Sequence, residues 1–169
     1  MFLYKNYKLE FTFCLKGVAG VRNGLLTLLL SLYSAFLQAD MVEVTPLSFG
    51  RFVVAGNSTI STIVIRFDGR KPLYTNQIYP LEFGTNGEYF LSNFPSFTPL
   101  NITIISTNNL TTSGPTEEFS VADFTHNDVT TDANGQATLF VGATLSTSGS
   151  GNPYVDATYD APYIINIDF

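Results

Sequence analysis

After residue 40 the chain alternates apolar and polar residues with a period of two over many short stretches. That period belongs to strands with one face in a core and one in solvent. It is clearest at Ala137, Leu139, Val141, Ala143 and Leu145, which all point to one face. Tyr163, Ile165, Ile167 and Phe169 repeat it at the end of the chain. Val42 and Val44 begin a short first strand, Phe49–Val54 a second, and Ser58–Phe67 a third that closes on Asp68-Gly69. Tyr74–Phe83 holds Pro80, so it belongs at a sheet edge or carries a bulge. Asn86-Gly87 turns the chain into Glu88–Leu91, and Asn101–Ser106 precedes a polar loop over 107–116. Glu118–Phe124 fits a strand or a helical turn. Asn134-Gly135 is a hairpin signal. Ser146–Asn152 is rich in small polar residues and reads as flexible, with strands expected at Tyr154–Tyr159 and Tyr163–Phe169. The prediction is all-β: one immunoglobulin-like sandwich of about eight strands over residues 40–169.

Composition strengthens this reading. All eight prolines lie after residue 40, and Thr, Ser and Asn supply 40 of the residues there. Those three types compete with helical backbone bonding, whereas Thr with Val, Ile, Tyr and Phe favours strands.

Residues 1–39 have a different character. Lys5, Lys8, Lys16 and Arg22 stand against Glu10 alone, and no charge occurs from Asn23 to Ala39. The apolar centre is Leu25-Leu26-Thr27-Leu28-Leu29-Leu30. A bilayer span needs about 20 predominantly apolar residues, and this run is shorter and broken by Thr27, Ser31, Ser34 and Gln38. A basic flank, a short apolar centre and a small residue before an acid describe a secretory signal peptide. Cleavage is expected between Ala39 and Asp40, with Leu37 and Ala39 at the inspected positions. The membrane would then be met only through this segment, during export to the periplasm, cell surface or medium.

Charge and cysteine content remove whole classes of function from the exported part. Arg51, Arg66, Arg70 and Lys71 face thirteen acidic residues, a net of −9. Nucleic acid is not an expected partner, since phosphate binding needs clustered Lys and Arg. The one cysteine, Cys14, lies in the leader, which takes disulfides and Cys/His zinc sites away from the domain.

Candidate catalytic chemistry is thin. His126 has no serine elbow and no second histidine to work with. Asp132-x-Asn134-Gly135 resembles part of a calcium loop but lacks the closing Glu, and a turn explains it without a metal. Glu117-Glu118 resembles a carboxylate pair for glycoside cleavage, and a solvated acidic patch explains it as well. Asn57-Ser58-Thr59, Asn101-Ile102-Thr103 and Asn109-Leu110-Thr111 fit the glycosylation acceptor pattern. No catalytic, cofactor or metal residues are assigned, and no cofactor is expected.

The terminal segment Tyr163, Ile165, Ile167 and Phe169 is the candidate for contact with partners. It suits a core strand, a strand offered to a neighbour, or the closing strand of a small outer-membrane barrel.

Pro46-Leu47-Ser48-Phe49-Gly50, Phe124, Asp132-Ala133-Asn134-Gly135, Thr138–Leu145, Tyr159 and Tyr163 occur in an order that resembles a known family. It is the domain-of-unknown-function 4402 family of exported bacterial proteins, similar in outline to pilin-like and spore-coat-like subunits. The resemblance spans most of residues 42–169 and implies a β-sandwich that functions by strand exchange, with no catalytic residues. Ala157 and Ala161 depart from the family's usual glycines, and the first strand is short, leaving little chain to donate. The expectation is therefore a non-enzymatic envelope or surface protein, structural or adhesin-like. Its partners would be itself or other envelope proteins, joined by strand addition. A carbohydrate-binding or hydrolytic secreted domain is the alternative from another class.

Overall fold

The structure is a computed structural model that describes residues 39–106 and 117–169. The leader and the 107–116 loop lie outside the described residues. The fold described is that of the unit Ala39–Phe169.

Eleven strands make up this unit, and no helix occurs among the described residues. They are β1 (Asp40–Thr45), β2 (Ser48–Val54), β3 (Thr62–Ile65), β4 (Leu73–Tyr74), β5 (Ile78–Thr85) and β6 (Gly87–Ser92). Then come β7 (Pro99–Ser106), β8 (Ser120–His126), β9 (Val129–Thr130), β10 (Ala137–Ser146) and β11 (Tyr163–Asp168). The all-β expectation holds, with every pairing antiparallel. Nine strands are of four residues or more, and two-residue strands, β4 and β9, close the ends of ladders.

The ten-residue β10 organises the main sheet. Val141 pairs with Gly87 of β6 and with His126 of β8, so β6 and β8 lie on opposite edges. Thr144, Leu145 and Ser146 pair with both β3 and β8, so β3 shares the edge that β6 occupies. One edge of β10 thus carries two partners end to end, and the sheet splits there. Gly142 stands at the junction. A Cβ on it would meet the Ile65 carbonyl oxygen at 2.4 Å, so only glycine lets β3 come this close. Asn86 spans the gap, donating from its side chain to the Phe67 carbonyl at 3.3 Å.

Strands β11, β7 and β9 form a second sheet in that order, and β2 with β5 forms a two-stranded ribbon. Two apolar clusters fill the interior. The first holds Tyr89, Leu91, Phe94, Leu100, Ile102, Val129, Leu139 and Val141, with Ile165 and Ile167 of β11 packed against it. The second holds Ile63, Ile65, Ile78, Phe119 and Leu145 beneath the β2–β5 ribbon. Leu47 touches both.

Several local readings need correction. At Asn86-Gly87 the chain changes sheet, since β5 pairs with β2, and β6 with β1 and β10. Asn134-Gly135 does turn, with the Gly135 N–H donating to Asp132 O at 3.1 Å. The strands it joins, β9 and β10, lie in different sheets. The third strand is confined to Thr62–Ile65, and the 118–124 segment enters strand β8 at Ser120 and forms no helix. Residues 154–159 form no strand, because their tyrosines turn inward onto Phe119 instead of joining a ladder. Pro80 behaves as expected. It sits in the two-stranded ribbon beside a register shift that leaves Leu81 without an opposite residue.

Candidate functional site: the terminal strand and its tyrosine pair

β11 pairs with β7 without a break from Tyr163↔Ser106 to Asp168↔Asn101. Its alternation sorts the side chains as the period of two demands. Tyr163, Ile165 and Ile167 pack against the first cluster, while Ile164, Asn166 and Asp168 face outward. Phe169 lies past the last ladder pair and is 51% exposed, its ring edge-on to Phe94 at 5.1 Å between centroids. The strand is last in its sheet, and no strand among the described residues pairs with its outer edge. Of the outward residues, only Ile164 beside Ile105 is apolar. This strand therefore serves the core with one face, and no described strand pairs with its outer backbone edge.

Behind it lies a polar group inside the apolar cluster. The Tyr163 and Tyr89 hydroxyls form a short hydrogen bond, and the Tyr163 ring leans on Phe124 at 5.5 Å. Burial above all pushes both phenols up from their ordinary value, and the carboxylate of Glu43 adds to the rise in each. Glu43 is the partner of Tyr89 across β1 and β6 and so points inward. Its Oε1 is buried without a hydrogen-bond partner. Sequence reading passed over Glu43, because a single acid in a valine-rich strand suggests a solvent-facing position.

A second polar assembly holds the 146–152 segment, and it corrects the expectation of flexibility. Asn57 is 4% exposed and donates to Ser148 Oγ at 2.8 Å and to the Asn152 carbonyl at 2.9 Å. It accepts from the Gly149 N–H at 2.9 Å. From outside, Glu117 accepts from Ser148 Oγ at 2.6 Å, Ser150 Oγ at 2.7 Å and Asn152 Nδ2 at 2.7 Å. These bonds favour the ionised carboxyl and hold it below the usual carboxylate range. Tyr154 finishes the lock, accepting from the Ser148 N–H at 2.8 Å and stacking on Phe119 at 4.1 Å. Glu117 is thus a loop organiser, and Asn57 spends its amide inside the fold rather than offering it to a glycan. The pattern Ser148-x-Ser150-x-Asn152 was the visible signal, three small polar residues on one side of the chain.

The remaining candidates are placed as follows. His126 ends β8, its Nδ1 2.9 Å from the neighbouring Asn127 carbonyl. Asn127 is the structural residue there. It accepts from the Phe140 N–H at 2.7 Å and donates to Thr138 O at 3.1 Å, extending the ladder past the end of β8. Asp132 Oδ1 receives the N–H groups of Asn134 and Gln136 at 2.8 and 2.9 Å, so this carboxylate closes a turn. Among the described residues no three His, Cys, Asp or Glu side chains gather as a metal set. Asn101 is exposed on β7, and Asn109 lies outside the described residues. Ala39 and Asp40 stand at the start of the described unit, Asp40 as the first residue of β1. No family model, no curated protein and no solved structure matches this chain.

Proposed function

We propose that the chain is an exported, non-enzymatic protein of a bacterial envelope or surface, acting through its β-sandwich and through strand addition to copies of itself or to other envelope proteins. The observation that carries this reading is β11, a six-residue strand with a fully paired inner edge and an outer edge that no described strand fills. Backbone groups on such an edge bind another strand with little regard for side chains, and proteins that do not use the edge usually block it. Here no proline or lysine interrupts Tyr163–Asp168. The leader-like composition of residues 1–39 supports export. Apart from β10, the strands run from two to eight residues, which favours a sandwich over a membrane barrel.

The test uses the full chain with and without a synthetic peptide of residues 163–169. Sedimentation and electron microscopy are expected to show oligomers or fibres that the peptide shortens. A chain that stays monomeric and captures no envelope protein defeats the reading, as does assembly indifferent to the peptide. Intact mass of the exported protein is expected to give a product beginning Asp40-Met41-Val42, and a product that retains residues 23–39 removes this route of export.

A further inference from the structure

β1 is built with its polarity reversed. Val42 and Val44 face outward, 51% and 56% exposed, while Glu43 faces in toward Tyr89 and Tyr163 with a buried oxygen that nothing satisfies. Along β6 the register begins as Asp40↔Ser92, Met41↔Leu91, Val42↔Phe90 and Glu43↔Tyr89. It then shifts by one residue, so that Thr45 opposes Glu88 and Val44 bulges out unpaired. Continuing the Thr45↔Glu88 register back along the strand gives Val44↔Tyr89, Glu43↔Phe90, Val42↔Leu91 and Met41↔Ser92. Because partners across an antiparallel pair share a face, that register inverts every side chain. Val42 and Val44 come to lie beside the buried Leu91 and Tyr89, and Glu43 moves out beside the exposed Phe90.

We propose that β1 occupies two registers on β6, exchanged when the bulge at Val44 travels to the start of the strand. The balance of forces is close. The observed register keeps Met41 against the first cluster but leaves two valines in water and a carboxylate oxygen unpartnered. The shifted register turns Met41 out, buries both valines, and returns Glu43 to solvent. Two valines gained and a freed carboxylate stand against one methionine lost from the cluster together with the other contacts that Asp40 and Met41 make in the observed register. The strand is six residues long at the edge of its sheet, and β6 is the one strand it pairs with among the described residues. Glu43 is the residue that drives the shift, and the valines are what the shift rewards. Tyr89 and Tyr163, the ionisable groups that face Glu43, carry no positive charge to hold it inside.

Disulfide trapping reads the two registers without touching residues 42–44. In the full-length chain carrying Cys14→Ser, the pair Asp40→Cys/Ser92→Cys reports the observed register and Met41→Cys/Ser92→Cys the shifted one. Directly opposed residues sit within bonding range, and a one-residue offset does not favour closure. Asp40→Cys/Phe90→Cys belongs to neither register and measures fraying. Both register pairs are expected to close faster than this control. Adding Glu43→Leu is expected to lower closure of the Met41 pair about tenfold while sparing the Asp40 pair. Val44→Thr leaves Glu43 in place and is expected to lower the same yield, since it weakens only the register that buries residue 44. A Met41 pair no faster than the Phe90 control overturns the proposal. So does a Met41 pair unchanged by both Glu43→Leu and Val44→Thr.

Discussion

The two apolar clusters lie toward opposite ends of β10, yet they are made by different means. Around Tyr89, Leu91, Leu139 and Val141 the walls are strands, and every buried residue but Phe94 comes from β6, β7, β9 or β10. Around Ile63, Ile65 and Leu145 strands also contribute, but Phe119, Tyr154, Tyr159 and Ala161 complete the wall from outside the strands. Phe119 is the centre of that second region. Tyr154 stacks on it at 4.1 Å, while Tyr159 and Phe52 meet its edge at 4.8 and 5.6 Å. Tyr154 and Tyr159 belong to no strand, and the hydrogen-bond lock of Asn57, Glu117 and the 148–152 segment holds their loop in place. One half is stabilised by apolar burial on ladders, the other by burial that depends on a polar clasp. A polar clasp is directional and fails when a single partner is lost, whereas an apolar ladder loses stability in proportion to the volume removed.

The largest effect is expected where the ladders are densest. Leu139 is 0% exposed, and Leu139→Ala should cost about 2–5 kcal/mol through lost transfer energy and the cavity left behind. Urea melts measure it. The loss should be global, lowering the midpoint with amide protection falling in both clusters together, because β10 runs through both. A loss below about 1 kcal/mol would mean that the first cluster collapses to fill the gap, and the contrast drawn between the halves would fail.

Asn57→Ala comes next, at about 1–3 kcal/mol, since it leaves the part-buried Gly149 N–H and the Asn152 carbonyl without their partner. The signature should differ in kind. Hydrogen exchange is expected to rise first at residues 147–152, with the first cluster protected until global unfolding. Uniform loss of protection across β6 and β10 would show that the clasp is not a separate unit.

The same contrast explains what could be read from the sequence. Leu139, Val141, Ala143 and Leu145 announce their face because a strand buried on one side imposes its period on every residue. Tyr163, Ile165 and Ile167 do so for the same reason. Pairing is not written in that period. Asn86-Gly87 and Asn134-Gly135 are local turn signals, and nothing local says whether the next strand returns to the same sheet. The tyrosines at 154 and 159 carry high strand propensity, but here their rings are used to cover Phe119. In β1 the period is present with its sense reversed, because the register on β6, not the strand's own pattern, decides which face is inside. Asn57 could be seen only as a glycosylation triplet, for its partners lie some ninety residues away, across the fold.

The smallest effect separates the two halves by pH. Glu117 titrates below the usual carboxylate range because Ser148, Asn152 and Ser150 donate to its ionised form. A folded-state pKa below the unfolded value means that the unfolded chain binds the proton more readily. Stability from this group is therefore fully present above the ordinary Glu range, near pH 4.3. It declines as pH falls through the depressed folded value. Glu117 is open to solvent, so the change should be local and weakened by salt. The amide resonances of Gly149 and Gly151, bonded to Asn57, are the natural reporters. On acidification they are expected to move toward exposed positions before any signal from Leu139 or Val141 changes. Glu117→Gln keeps an acceptor oxygen but removes the charge, so those resonances should become nearly independent of pH between about 3 and 6. If Gly149 titrates identically in the Glu117→Gln protein, another acid controls the loop, and Glu117 is not the outer half of the clasp.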